Sequence, residues 1–150
     1  MNEPDALQYR ILISGAAMLD QGARIDSLSR GVTLAALVGL LAIGVMVDHP
    51  DALPMALLAL AVLVGLVELY LSIRVMLDAA LFRQLATPSA APDWETFDAA
   101  LLRLRMLPPA KAGRPAEARV AGARRLLRAQ GVALIVQMSL AVAGAYAVTR

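Results

Sequence analysis

Residues 31–47, 52–67 and 129–149 contain no Asp, Glu, Lys or Arg, and these three windows are 17, 16 and 21 residues long. A helix rising 1.5 Å per residue crosses about 30 Å of hydrocarbon in roughly 20 residues. All three windows qualify as spans, the first with help from its flanks, and the second extends to residue 73 once Glu68 is accommodated. Composition agrees, because 59% of the 150 residues are hydrophobic and 17% are charged, with a mean hydropathy of +0.66. Lipid is the expected solvent of such a chain, which excludes a disordered tail and most soluble catalytic folds. The absence of cysteine excludes a disulfide scaffold and thiolate metal sites. The length leaves room for one domain.

Asp48, His49, Pro50 and Asp51 separate the first two windows as a tight turn, with Pro54 in the first turn of the second span. The acidic start, Met1 to Asp5, and the late first apolar run make a cleavable signal peptide unexpected. Orientation follows from Arg and Lys, which are in excess on cytoplasmic flanks. Residues 1–30 carry three, the 48–51 turn none, residues 74–128 ten, and the C-terminus only Arg150. The N-terminus and the long loop are therefore expected in the cytoplasm and the C-terminus outside, in a bacterial inner membrane. The expected organisation is one all-α membrane domain. It comprises a cytoplasmic helical segment (1–30), a first span (31–47), an external turn (48–51), a second span (52–73), a cytoplasmic helical loop (74–128) and a third span (129–149).

In the N-terminal segment Ile11, Met18, Ile25 and Val32 recur every seven residues beside Leu7, Ser14, Gln21 and Leu28, which predicts one face of a helix running into the first span. Gly15 and Gly22 weaken it by about 1 kcal/mol each relative to Ala. The second helix meets no stop signal before Pro88, so it is expected to project into the cytoplasm. Asp93 is a candidate N-cap for a short amphipathic helix bearing Trp94, Phe97, Leu101 and Leu104 on one stripe. That stripe either packs against helical extensions at Leu77, Leu81, Leu85, Val120 and Leu126, or lies in the headgroup interface, or docks a partner. Pro115 opens the last helix, where Arg119, Arg124, Arg125 and Arg128 form a topology anchor that attracts anionic lipid.

Inside the spans, Glu68 is the one carboxylate, at a cost of roughly 2.5–3.5 kcal/mol at a helix centre. Gln137 is expected at the same depth on the third span, and a Glu68–Gln137 hydrogen bond would relieve both groups. Small residues at four-residue spacings mark close helix contacts: Gly31, Ala35 and Gly39, then Ala61 and Gly65, then Ala133, Ala141 and Ala145 around Gln137. More such faces exist than a three-helix protein needs, which suggests a neighbour. His49 between two aspartates is read as a solvated turn rather than a metal site.

No nucleophile–base pair, phosphate loop or paired carboxylates stand out, and no cofactor or metal is expected. Nor does aromatic interleaving of the basic residues suggest nucleic acid. The leading expectation is a non-catalytic subunit that docks or stabilises a larger inner-membrane assembly. Its partners would be lipids, other membrane subunits or copies of itself, with a cytoplasmic protein as a further candidate. One alternative is an oligomeric transporter or channel subunit using Glu68. Another is a small lipid-modifying enzyme, since the layout resembles small bacterial diacylglycerol kinases; their Glu-x-x-Asn-Thr-Ala-Ile-Glu run is absent, and no residue is carried over.

Overall fold

The computed structural model describes residues 3–48, 51–86, 93–105 and 107–149, all of them helix, turn or coil. Helices α1 (Glu3–Leu19), α2 (Gly22–Met46), α3 (Ala52–Leu85), α4 (Trp94–Arg103) and α5 (Ala116–Val148) follow one another, with a 3-10 turn at Pro109–Lys111. His49 and Pro50 of the expected turn lie outside the described residues, as do Pro88 and the linker expected at residues 89–92.

Three helical rods are long and apolar enough to cross a membrane: α1 and α2 end to end, α3, and α5. At 34 and 33 residues, α3 and α5 are each about 50 Å long, well beyond the hydrocarbon thickness. The first rod breaks at Asp20 and Gln21, immediately before Gly22, where glycine had weakened the pattern. There an exposed 2.6 Å ion pair from Asp20 to Arg83 ties the break to the far end of α3. α3 packs against α1, α2 and α5, and its largest interface is with α5.

The buried stripe of α3 is Pro54, Leu58, Ala61, Gly65, Glu68, Ser72, Val75, Ala79 and Phe82, alternating steps of four and three residues. That is a seven-residue repeat, the spacing that keeps one seam facing its neighbours in a left-handed bundle. α5 buries Ala116, Ala123, Gln130, Gln137 and Gly144 at seven-residue steps, together with Leu134. On the first rod the buried line runs through Leu12, Ala16, Leu19, Gly22, Asp26, Ser29, Ala36 and Ile43. It is not the expected line: Ile11, Met18, Ile25 and Val32 are only half-buried, while Leu7 and Leu28 are exposed.

Along its axis the bundle has apolar ends and a polar middle. One end holds Leu12, Leu19, Val75, Ala79, Phe82 and Ala123, and the other holds Ala36, Ile43, Leu58 and Ala61. Between them lie Gly22, Asp26 and Ser29 of α2, Gly65, Glu68 and Ser72 of α3, and Gln130 and Gln137 of α5, all buried. The outer surface at this level is greasier than the interior: Leu28 is 62% exposed and Leu63 58%, whereas Glu68 is fully enclosed. In water this arrangement would be costly; in lipid, leucines gain nothing by facing inward and polar groups must find partners there.

Candidate functional site

The polar middle consists of two layers separated by one heptad of α5, about 10 Å. In the first, Gln130 Nε2 donates to the Gly22 carbonyl at 2.9 Å and to Glu68 Oε1 at 2.8 Å. In the second, Ser29 Oγ donates to Gln137 Oε1 at 2.6 Å, and Gln137 Nε2 donates to Thr33 Oγ1 at 2.7 Å and to the Ser29 carbonyl at 3.2 Å. Thr33 Oγ1 in turn donates to the Ser29 carbonyl at 2.9 Å. Glu68 and Gln137 are thus both buried on facing stripes, but the expected hydrogen bond between them is replaced. Glu68 takes Gln130 and Gln137 takes Ser29 and Thr33, one heptad out of register with the depth estimate.

Each glutamine sits over a glycine. A Cβ on Gly22 would lie 2.9 Å from Gln130 Oε1 and from Val75, and one on Gly65 would overlap Thr33 Oγ1 and lie 2.6 Å from Gln137 Nε2. Close backbone approach is what brings the short amide side chains within hydrogen-bond reach across three helices. Of the expected small contact residues, Gly39, Ala61, Gly65 and Ala141 are used inside the bundle. Gly31, Ala35 and Ala145 face outward. Gly22 and Gly144 also lie in the contacts, without an expected role there; a Cβ on Gly144 would lie 2.9 Å from Leu58.

Asp26, at the same level on α2, is buried and holds Arg30 at 2.7 Å through an i, i+4 pair. The side chains of a helix lean toward its N-terminus, which carries the half-exposed Arg30 guanidinium away from the apolar stretch that follows it.

A second polar centre joins α4 to the start of α5. Asp93 caps α4 by accepting the Thr96 N–H at 3.0 Å. Asp98 Oδ2 accepts from Arg119 Nη2 and from the Gly113 N–H, both at 2.7 Å. Gly113 has φ +71°, the left-handed conformation that glycine adopts at no steric cost, and this turns its N–H toward the carboxylate. Burial pushes the Asp98 carboxyl up, but the Arg119 and Gly113 hydrogen bonds and the Arg119 charge outweigh it, so it stays below the usual carboxylate range.

The Arg119 guanidinium also lies 4.8 Å from the centre of the Trp94 ring and donates to the Arg114 carbonyl at 2.8 Å. Arg119 is therefore occupied inside the protein rather than free for lipid, unlike the exposed Arg124, Arg125 and Arg128. Among the expected stripe residues, Trp94 packs against the core at the α1 end and its Nε1 donates to Gln8 at 3.4 Å. Phe97 meets Trp94 edge-on, Leu101 is half-buried and Leu104 is exposed. The spacing of Trp94, Asp98 and Arg119 gave no warning of this clamp.

Compared with known protein families, curated proteins and solved structures, the chain matches none. What it does has to be argued from these two centres and from the outer surface. Among the described residues no three His, Asp or Glu side chains are grouped to hold a metal ion.

Proposed function

We propose that the chain is a small non-catalytic integral membrane subunit that docks or stabilises a larger assembly in a bacterial inner membrane. Residues 1–30 and 74–128 lie on the cytoplasmic side in this reading, which rests on the ten basic residues of the long connection against none in the 48–51 turn. The α4 helix, clamped by Arg119, then forms a short amphipathic element beneath the membrane.

The observation that carries the proposal is a small-residue face left over on the outside of α2. Gly31, Ala35, Val38, Ala42 and Val45 are all exposed and follow the four–three spacing of a helix contact, and a Cβ on Gly31 would meet nothing within 4 Å. The bundle uses Gly39, Ala61, Gly65 and Ala141 to bring its own helices together, whereas this face has no neighbour among the described residues. A second membrane helix can approach it closely, and in lipid such packing is a main source of helix association.

Purification in mild detergent followed by mass determination tests this. The expected particle is heavier than one 15.8 kDa chain and contains a second membrane protein in fixed ratio. The double change Gly31→Leu with Ala35→Leu should release it while leaving the bundle folded. A clean monomer, or a companion indifferent to those changes, would overturn the reading.

A further inference from the structure

The two glutamine layers share one design but not one state of completion. Around Gln137 each buried side-chain polar atom has a partner. Around Gln130 both amide hydrogens are used, but Gln130 Oε1, Glu68 Oε2 and Ser72 Oγ have no partner among the described residues. All three side chains are fully enclosed. They are also neighbours: Glu68 and Ser72 are four residues apart on one buried stripe, and the Gln130 amide touches Glu68. Gly22 leaves the room that the Gln130 amide oxygen occupies.

The layer is short of positive charge and of hydrogen-bond donors. Glu68 has no ion-pair partner among the described residues, and an uncompensated carboxylate at membrane depth is expensive. We propose that the Gln130 layer is a binding site for one monovalent cation, coordinated by Glu68 Oε2, Gln130 Oε1 and Ser72 Oγ. One formal negative charge and three oxygens suit a single positive charge. A calcium ion takes six to eight oxygens, and magnesium takes octahedral geometry with several retained waters. An alkali-metal ion, sodium or potassium, supplies that charge. The site stands or falls independently of the subunit reading, because its ligands belong to one chain.

Other charges on the surrounding elements are Arg24 and Asp26 with Arg30 on α2, where Asp26 Oδ1 is also without a partner among the described residues, Arg74 and Asp78 further along α3, and Arg128 near Gln130 on α5. Asp20, in the break after α1, is tied to Arg83.

The test is thermal unfolding of the purified full chain in detergent at constant ionic strength, with NaCl or KCl replacing choline chloride, at pH values from 5 to 9. A bound alkali-metal ion raises Tm by about 3 °C per tenfold increase in that ion once the site is filling. Glu68→Gln should abolish that response. Ser72→Ala removes a ligand but no hydrogen bond within the chain, so it should weaken the response even if Glu68→Gln fails to fold. Ser29→Ala, in the completed layer, should lower Tm in every medium and keep the response. A Tm indifferent to sodium and potassium at every pH, or a full wild-type response in Ser72→Ala and in folded Glu68→Gln, would overturn the proposal.

Discussion

Gln130 donates a 2.8 Å hydrogen bond to Glu68 across the α3–α5 seam, and Gly22 supplies the second acceptor for the same amide. One side chain therefore joins all three rods at a single level. The polar contents of the bundle are structural partners of one another, and their cost in lipid is offset by mutual hydrogen bonding.

Gly65 should tolerate no side chain. Gly65→Ala drives a methyl into Thr33 and Gln137 and is expected to destabilise the bundle by about 1–3 kcal/mol. Gly131→Ala, where a Cβ meets nothing within 4 Å, should be neutral or slightly stabilising. Unfolding in mixed micelles with increasing SDS measures both. Equal effects at the two positions would remove the close-approach argument.

Gln137→Ala leaves the Ser29 and Thr33 hydroxyls without their cross-helix partner. Interhelical hydrogen bonds in membranes average about 0.6 kcal/mol and reach about 1.7. Three such bonds, counting the one to the Ser29 carbonyl, together with the lost packing predict a loss of about 2–3 kcal/mol. Ser29→Ala combined with Gln137→Ala should cost less than the sum of the single changes, which a double-mutant cycle reads directly.

The Arg119 clamp is open to a one-fluorophore measurement, since Trp94 is the sole tryptophan. Arg119→Met removes both the Asp98 hydrogen bond and the charge over the indole. The Trp94 emission should shift to the red and α4 should become protease-sensitive, with the three long helices retained by circular dichroism. An unchanged spectrum would mean that α4 is held by other contacts.

Acid should open the same clamp. The Asp98 carboxyl lies below its ordinary range in the folded chain, so folding favours its ionised form. Its contribution is complete above about pH 4 and disappears as pH falls through the lower folded value. Trp94 emission should therefore hold steady from neutral pH to about pH 4 and change below it. Asp98→Asn should show the released spectrum at every pH.

The orientation can be read from single cysteines, because the chain has none of its own. An impermeant thiol reagent added to intact spheroplasts should label Thr149→Cys and spare Lys111→Cys until the membrane is permeabilised. The reverse pattern would invert the proposed topology.

The three spans could be read directly, because absence of charge over some 20 residues has few other physical explanations. The inner face of the first rod could not. Hydrophobic periodicity finds the side that avoids water, but in lipid the strongest apolar residues, such as Leu28 and Leu41, face the acyl chains while Gly22, Asp26 and Ser29 face the neighbours. A search for small and polar residues at seven-residue spacing would have found that face, as Ala116, Ala123, Gln130, Gln137 and Gly144 demonstrate. The Glu68 partner was missed for a related reason. Counting six residues from Glu68 to Arg74 and six from Gly131 to Gln137 sets Glu68 and Gln137 level, yet Arg74 and Gly131 do not lie at one level, and Glu68 meets Gln130 one heptad earlier. The Asp98–Arg119–Trp94 clamp depends on a turn at Gly113, for which no local spacing rule exists.

The bond between Glu68 and Gln130 spans 62 residues of chain. At about 5–20 residues per second a ribosome needs roughly 3–12 s to extend from one to the other. During that interval a nascent α3 holds its acid in the bilayer without its amide. A polypeptide stalled or cut before residue 130 stays in that condition, and it is the natural prey of membrane proteolysis.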